Sequence, residues 1–487
     1  MPGTNTKVLI VGGGLAGLVL AILLERGGID YLILEQSVLI RPYGSIIVIS
    51  SLVLPLMEQL GVLEEIERAS LPFGGITLLR GDQSVVGRIV CDGRNGGLDY
   101  KQRYGHYDQC LSRPDLYNIL LSRIPKERLK LGKRFVNFQH TLHPETGAEQ
   151  VMVRCSDGTY YRGDILVGAD GASSVVRQSL YRQMKDEGAL PKADQEEHQY
   201  RHVSLIGVTN PLTSRKHPDL KENFSHFKVI LNKNSPYMCW FMPLAGSRYS
   251  WLVSRSLDVP VTSNSGNADF ADWGPDATDE MSKAIRNLPG PDGGTMGEIL
   301  DNTDRQTISR VILEERFFRT WYGGRTVLIG DACHKSVPFT GKGASESMLD
   351  AVVLASLLYD LPSFSNTNDL HEAFKTFHQI RSPVAKYVVD SSSQFGSLLT
   401  KEGWTGELAR RIGLGIATSW IARPQVDKAY YNRIQASFLP HIPERGTVPG
   451  RPHVVASRGI VEKDRTKEEA YYDHARVDEF FAAPLST

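Results

Sequence analysis

The residues best suited to chemistry stand near the start of the chain. Gly12, Gly14 and Gly17 form GxGxxG within Val8-Leu9-Ile10-Val11-Gly12-Gly13-Gly14-Leu15-Ala16-Gly17, and Glu35 closes the unit. This pattern suits the binding of a dinucleotide. The first glycine permits a tight turn, the second lets backbone approach a pyrophosphate, and the third lets the helix pack close on the strand. The N–H groups at the start of a helix over Leu15–Arg26 would face the phosphates. Glu35 ends a second apolar run, Tyr31–Leu34, where a carboxylate meets a ribose diol. A lone GxGxxG is a weak signal. Strand, glycines, helix, strand and acid in register favour a dinucleotide site over a chance glycine cluster.

Two later segments say which dinucleotide. One is Asp164-Ile165-Leu166-Val167-Gly168-Ala169-Asp170-Gly171-Ala172-Ser173-Ser174-Val175-Val176-Arg177. The other is Val327-Leu328-Ile329-Gly330-Asp331-Ala332-Cys333-His334, continuing through Pro338, Gly341-Lys342-Gly343-Ala344 and Asp350-Ala351. With these three motifs in order over residues 8–351, the chain resembles the group A flavoprotein monooxygenases, the p-hydroxybenzoate hydroxylase-like family. Its general pattern and C-terminal extension are similar to the fungal secondary-metabolite branch, which includes the paxilline-type epoxidases.

The resemblance implies bound FAD and a transient reductant, NADH or NADPH. It implies a flavin hydroperoxide that delivers one oxygen atom to a hydrophobic small molecule, by epoxidation or hydroxylation. Terpenoids, meroterpenoids and indole alkaloids all suit this chemistry. The implied cofactor residues are Gly12, Gly14, Gly17, Glu35, Gly44, Val48, Arg113, Asp331, Gly343 and Ala344. Arg113 would contact FAD near its pyrophosphate; it also reads as an ordinary helix-start arginine. Asp331 can accept a bond from a ribityl hydroxyl. The positive end of the helix after Gly341 would favour negative charge building on the flavin pyrimidine. The family usually has Gln at Lys342, Asn at Ser345, Ala at Cys333 and often Gly at Val48. In fungal relatives an arginine and a tyrosine on the substrate sheet do acid–base work; by order these are Arg201 and Tyr237. Each also reads as an ordinary sheet residue. Arg41 could lie near the loop Gly44–Val48 or simply be exposed. Ser174 and Arg177 read as supports of the second motif's turn.

The elements that must position these groups follow a split pattern. The resemblance implies an α/β fold class: a Rossmann-like FAD-binding domain interrupted by a β-sheet substrate domain, with a helical C-terminal region. The FAD-binding domain is expected over 1–75, 109–180 and 286–360, the substrate domain over 76–108 and 181–285, and the C-terminal region over 361–487. Helices are predicted around Leu54–Ser70, Arg113–Arg123 (Ser112 as N-cap), Glu280–Leu288 and Ser347–Leu358. Alternation predicts strands at Ile76–Leu79, Val85–Val90, Val203–Thr209, Phe227–Leu231, Met238–Met242 and Tyr249–Val253. A hairpin is expected around Asp157-Gly158. Residues 181–200 read as an exposed polar excursion, and the tail beyond Pro443 as a surface segment wrapping the body.

Composition narrows the function classes. At 487 residues, the chain suits two or three domains at roughly 150 residues each. Lys plus Arg and Asp plus Glu both number 55, and no arginine–aromatic array suggests a nucleic-acid partner. The five cysteines are scattered without CxxC spacing, which points to a reduced compartment and no metal site. The first apolar run belongs to the dinucleotide unit and does not read as a signal peptide. No run of about 18 apolar residues exists. The shorter run Ile412–Ile421 reads as a docked helix and leaves peripheral membrane contact open. A cytoplasmic location is expected; the oligomeric state is not readable. Two other function classes stay open: an FAD oxidoreductase without oxygen insertion, and a non-catalytic prenyl-binding escort protein. Bound FAD and oxygen-dependent NAD(P)H use separate the three.

Overall fold

The structure, a computed structural model, describes residues 6–39, 44–94, 97–196, 199–232, 235–262, 275–400, 406, 408–410, 413 and 423–457. Val8–Val11 are all buried, as expected for a strand covered on both faces. This strand, β1 (Thr6–Val11), pairs in parallel with β2 (Tyr31–Leu34) on one side and β10 (Tyr160–Gly168) on the other. β7 (Leu129–Lys130) extends the sheet beyond β2; β18 (Thr326–Leu328) and then β17 (Tyr322–Gly323) extend it beyond β10. β8 (Phe135–Leu142) and β9 (Glu149–Cys155) hang on β10, with the expected hairpin turn at Asp157-Gly158. The helices Leu15–Arg26 and Gly343–Asp360 pack on one another beside this sheet.

The second sheet has the strand order β15 (Ser309–Leu313), β11 (Gln199–Val208), β14 (Arg248–Thr262), β13 (Tyr237–Leu244), β12 (Ser225–Leu231), β4 (Leu71–Arg80), β6 (Gln109–Ser112) and β3 (Ile46–Ile49). β5 (Val85–Val90) pairs with β4. A small pair, β16 (Arg316–Phe317) with β19 (His334–Lys335), lies beside the third motif. The two faces of the second sheet are covered differently. On the outer face Leu205, Cys239, Phe241 and Trp251 pack with Ile285 and Met296, from the segment holding helices Pro275–Ile285 and Met296–Asp301. On the inner face Val229, Trp240, Met242 and Leu252 meet Val337, Phe339 and Leu399, which follow the third motif.

Several expectations shift. β3, β6 and β15, expected within the FAD-binding domain, are hydrogen-bonded into the second sheet. Their pairings are long-range, and no local pattern announces them. The predicted helix Leu54–Ser70 is two helices, Leu54–Gln59 and Leu63–Ala69, broken at Gly61, whose φ is +66°. The excursion expected at 181–200 starts inside helix Val175–Asp186, where Tyr181 is buried and its hydroxyl donates to the Thr320 carbonyl. Helix Arg113–Leu121 matches its expectation: the Ser112 hydroxyl caps it by accepting the Asp115 N–H. Residues 443–457 lie on the body, with Thr447 N–H donating to Gln102 O and Val448 N–H to Arg103 O. Arg41, the run Ile412–Ile421 apart from Gly413, and residues 458–487 lie outside the described residues. Among the described residues no helix is long and apolar enough to cross a membrane.

A buried ionic network locks the third motif to two helices. Asp350, with no exposure, accepts the Gly330 N–H at 2.8 Å and shares a 2.6 Å hydrogen bond with His334 Nε2. Its other oxygen accepts Arg381 Nε at 2.8 Å, and Arg381 also reaches the Glu346 carboxylate at 2.5 Å. Arg381 sits on the long helix Thr367–Thr400. Burial opposes the charge on Asp350, but His334 and Arg381 overcome it and hold the carboxyl below its ordinary value. Asp350 therefore stabilises the fold above the unfolded aspartate value of about 3.9, and that contribution is lost as pH falls through the lower folded value. Replacing Arg381 strands two buried carboxylates, so Arg381→Met should cost about 3–5 kcal/mol in urea unfolding at neutral pH. A cost near zero would show that the network does not carry the packing.

Candidate active site

The three glycines of the first motif face three different surroundings. A Cβ on Gly12, whose φ is +107°, would fall 2.4 Å from the Ala169 carbonyl oxygen, so the first motif is backed directly by the second. A Cβ on Gly17 would fall 2.1 Å from the Gly12 carbonyl oxygen, so helix Leu15–Arg26 presses on its own turn. Around Gly14 no atom lies within 4 Å of such a Cβ. The glycine at the helix start thus faces open space, which suits a pyrophosphate approaching the backbone. Glu35 takes its place at the end of β2: one carboxylate oxygen accepts Gly13 N–H and the other Ser37 N–H, both at 2.8 Å.

The second motif clamps the third. Asp170 accepts the Ser174 hydroxyl at 2.5 Å and the Val175 N–H at 2.7 Å, which caps helix Val175–Asp186. Burial nonetheless raises the Asp170 carboxyl. Arg177, buried under the Phe318 ring, donates to Ala172 O at 2.7 Å and to Ala332 O at 2.8 Å. It thereby joins the two turns, the supporting role read from sequence.

Around this clamp the expected cofactor residues gather. Gly44 packs on the Arg113 side chain, where an added Cβ would meet it at 3.1 Å. Arg113 is exposed, with no side-chain hydrogen bond among the described residues. Glu35 and Arg113 both act electrostatically on the Tyr117 phenol, whose pKa is raised by burial and by Glu35 and lowered by Arg113. Glu35 and Arg113, both expected to meet the cofactor, therefore lie near the same phenol. Val48 lies against Gly341, just before Gly343 and Ala344 begin helix Gly343–Asp360. Asp331 lies on a single turn after β18, half-exposed and ion-paired with Lys335.

Lys342, noted in the sequence as a departure from the family, stands at this locus with two groups that were not read from it, Asp108 and Tyr430. Half-buried Lys342 precedes Gly343, its ammonium 4.4 Å from the centre of the Tyr430 ring. Burial lowers its pKa, against the pull of Asp108 and Glu346. Asp108 is buried and raised by that burial, although it accepts the Tyr430 hydroxyl at 2.6 Å and the Ser51 N–H at 2.7 Å. Tyr430 lies more than 300 positions from Asp108, so no local pattern could join them. The quoted Asp350 was the available sign of the buried network; its partner Arg381 gave none.

Of the two expected catalytic residues, Tyr237 is not brought to this locus. Arg201 lies on β11 where the pairing with β14 slips between Tyr200 and His202, and its side chain is outside the described residues. Tyr237 packs with the outer-face cluster of the second sheet, away from Phe339 and the flavin loops. Strand alternation explains the correction: Trp240 occupies the inner face, and Tyr237, an odd number of residues away, must occupy the other.

The fold and site together define a flavoprotein: a dinucleotide-binding sheet beside a second sheet whose inner face meets the cofactor loops. Residues 5–256 and 268–392 match the FAD binding domain family. The FAD-dependent monooxygenase verC1 of Penicillium polonicum is 29% identical over 92% of this chain. This chain spans only 53% of verC1. The FAD-dependent monooxygenase atmM of Aspergillus flavus is 30% identical over 73% of this chain and 69% of its own length. Klebsiella pneumoniae HpxO, solved with FAD and uric acid, shares the fold with a TM-score of 0.65, at 19% identity over 88% of this chain and 96% of that one. The chain belongs to the FAD binding domain family, as a group A flavoprotein monooxygenase, a class of enzymes that uses FAD and oxygen.

The glycine surroundings separate binding from folding. Gly17→Ala forces backbone apart and should destabilise the protein by about 1–3 kcal/mol. Gly14→Ala should leave apoprotein stability near wild type and weaken FAD retention; equal stability losses in both variants would refute the distinction. If Arg113 contacts the FAD pyrophosphate as expected, Arg113→Ala should remove about 1.5–3 kcal/mol, or about tenfold to a hundredfold in FAD affinity by equilibrium dialysis.

Proposed function

We propose that this protein inserts one oxygen atom from O2 into a hydrophobic small molecule, by epoxidation or hydroxylation, in secondary-metabolite biosynthesis. The carrying observation is the meeting of the flavin loops with an apolar sheet face. Phe339, two residues before Gly341, stacks on Trp240 with ring centres 5.8 Å apart, beside Met242 and Leu252. Apolar walls beside a flavin exclude water from an oxygen-transfer site.

In this reading the N–H groups at Gly14 hold the FAD pyrophosphate together with Arg113, Glu35 holds the ribose, and Asp331 holds the ribityl chain. Gly44 and Val48 shape the loop alongside, and Gly12 and Gly17 set the turn beneath. Gly343 and Ala344 present backbone N–H groups to the pyrimidine, and Lys342 adds positive charge beside them. When bound, FAD reduced by NADH or NADPH would supply the activation of O2, one atom of which would enter the substrate while the other left as water. Arg201 keeps its proposed acid–base role on the strength of its place on β11. Tyr237 does not enter the mechanism, because its ring belongs to the outer face.

Purified protein should be yellow, and its NAD(P)H consumption should require O2. A substrate panel screened by mass spectrometry should yield a product one oxygen atom heavier. Oxidised product without added oxygen would point instead to an FAD oxidoreductase. Protein that retains no flavin would point to an escort role.

A further inference from the structure

Lys342 is a cation whose neighbouring carboxylates are already taken. Half-buried just before Gly343, its ammonium has no hydrogen bond or ion pair among the described residues and rests on the Tyr430 ring, 4.4 Å from the ring centre. Two carboxylates act on it electrostatically, Asp108 and Glu346. The Glu346 carboxylate is engaged by Arg381 at 2.5 Å. The Asp108 carboxylate accepts the Tyr430 hydroxyl at 2.6 Å through one oxygen and the Ser51 N–H at 2.7 Å through the other. A charge withdrawn from water is normally paired. An ammonium left beside two acids that other donors hold therefore calls for a reason.

The group that takes Asp108 comes from beyond the family's domain. The FAD binding domain match ends at residue 392, and Tyr430 follows helix Arg423–Ala429. This segment is fixed by contacts that do not involve Lys342. Asp427 accepts Arg103 Nη2 at 2.6 and 2.7 Å and the Tyr104 hydroxyl at 2.8 Å. The Tyr430 ring stacks on Tyr104 with centres 4.3 Å apart and meets Tyr100 edge-on at 5.1 Å. Gln59 accepts the Ala436 N–H at 2.9 Å and donates to Ala436 O at 3.3 Å. Tyr430 is thus held in place by its own segment. On the other side Ser345 Oγ accepts the Ser50 N–H at 3.0 Å, so the loop of Lys342 and the Ser51 support of Asp108 meet at one strand end.

We propose that Tyr430 is a positioning residue of the flavin site: by occupying Asp108 with its hydroxyl and offering its ring to Lys342, it keeps the Lys342 ammonium unpaired and its charge available to bound FAD. The inference rests on the reading that places Gly343 and Ala344 at the flavin pyrimidine, and deepens it by saying how the charge beside them is kept. An aromatic face attracts a cation without neutralising it, whereas a carboxylate in contact would cancel most of its field. Asp108 without the Tyr430 hydroxyl would keep one donor in a buried site, and Lys342 is the cation that acts on it. Drawing Lys342 in would then satisfy it. An unpaired cation beside FAD favours the negative charge gained on reduction and so raises the midpoint potential. A segment outside the FAD binding domain would thereby tune the cofactor within it.

The test measures the two-electron midpoint potential of bound FAD by dye equilibration at neutral pH. Tyr430→Phe keeps the ring and its packing and deletes only the hydroxyl. It should lower the potential by about 30 mV, a tenfold change in the reduction equilibrium, and Lys342→Met should lower it by at least as much. In a Lys342→Met background Tyr430→Phe should add nothing, because it acts through the ammonium. Asp108→Asn added to Tyr430→Phe should return the potential to within about 10 mV of wild type, since no carboxylate is left there to draw the ammonium. Should that variant fold poorly, the Lys342→Met cycle decides alone. A potential unmoved by Lys342→Met would refute the placement of this loop at the flavin, and the proposal with it. A potential moved by Lys342→Met but not by Tyr430→Phe would leave the placement standing and overturn the role of Tyr430. Shifts that add in the double variant, or no recovery with Asp108→Asn, would overturn it too. Neither O2 nor substrate enters the measurement. Protein that shows these shifts yet inserts no oxygen would sink the monooxygenase reading and leave the role of Tyr430 intact.

Discussion

The architecture depends on one carboxylate that water does not reach. Asp350 has no exposed surface, and burying its charge is costly unless every lone pair is engaged. The engagement is what joins the parts. Its oxygens draw in a backbone N–H of the third motif, a histidine that follows that motif, and an arginine from a separate helix. The turn bearing Asp331 and the start of helix Gly343–Asp360, both on the flavin side, are thereby set against the same group. A hydrophobic contact could hold these elements together, but it is non-directional. A hydrogen-bonded charge fixes angles as well as distances, and a flavin site needs its donors fixed before the cofactor arrives.

The same arginine ties the flavin side to the substrate side. Arg381 lies on helix Thr367–Thr400, which runs on to Gly396 and Leu399. A Cβ on Gly396 would fall 2.8 Å from the Phe339 ring, so the helix backbone presses on the aromatic that stacks against Trp240. A path of packed groups thus runs from Asp350 through the long helix to the inner face of the second sheet. Arg177 supplies a second tie by holding Ala332 against the second motif.

The parts legible in the sequence are those set by neighbours along the chain. Val8–Gly17 and Glu35 declare a strand, a turn and a helix within 30 residues, and the glycine surroundings follow from that local geometry. Ser112 and Pro114 announce a helix start just as directly. What could not be read depends on partners far away. β3 and β6 look like flavin-domain pieces by position, yet they form the edge of the other sheet. Asp350 and Arg381 meet only because two helices cross. Tyr237 shows the sharpest limit. Its strand was legible, but a change of one position along a strand exchanges the two faces, and position in the sequence does not say which face looks toward the flavin.

That two-sidedness also explains how the sheet tolerates polar atoms it does not satisfy. The outer face is closed by the segment holding helices Pro275–Ile285 and Met296–Asp301, and Leu205, Phe241, Trp251 and Val253 bury fully against it or against one another. That face supplies cohesion independent of any ligand, and its indole and phenol are hydrogen-bonded. The inner face is then free to be less than optimal for stability. Trp240 and Trp251 differ accordingly: the Trp251 indole N–H is bonded to Thr303, and that of Trp240 has no hydrogen-bond partner among the described residues.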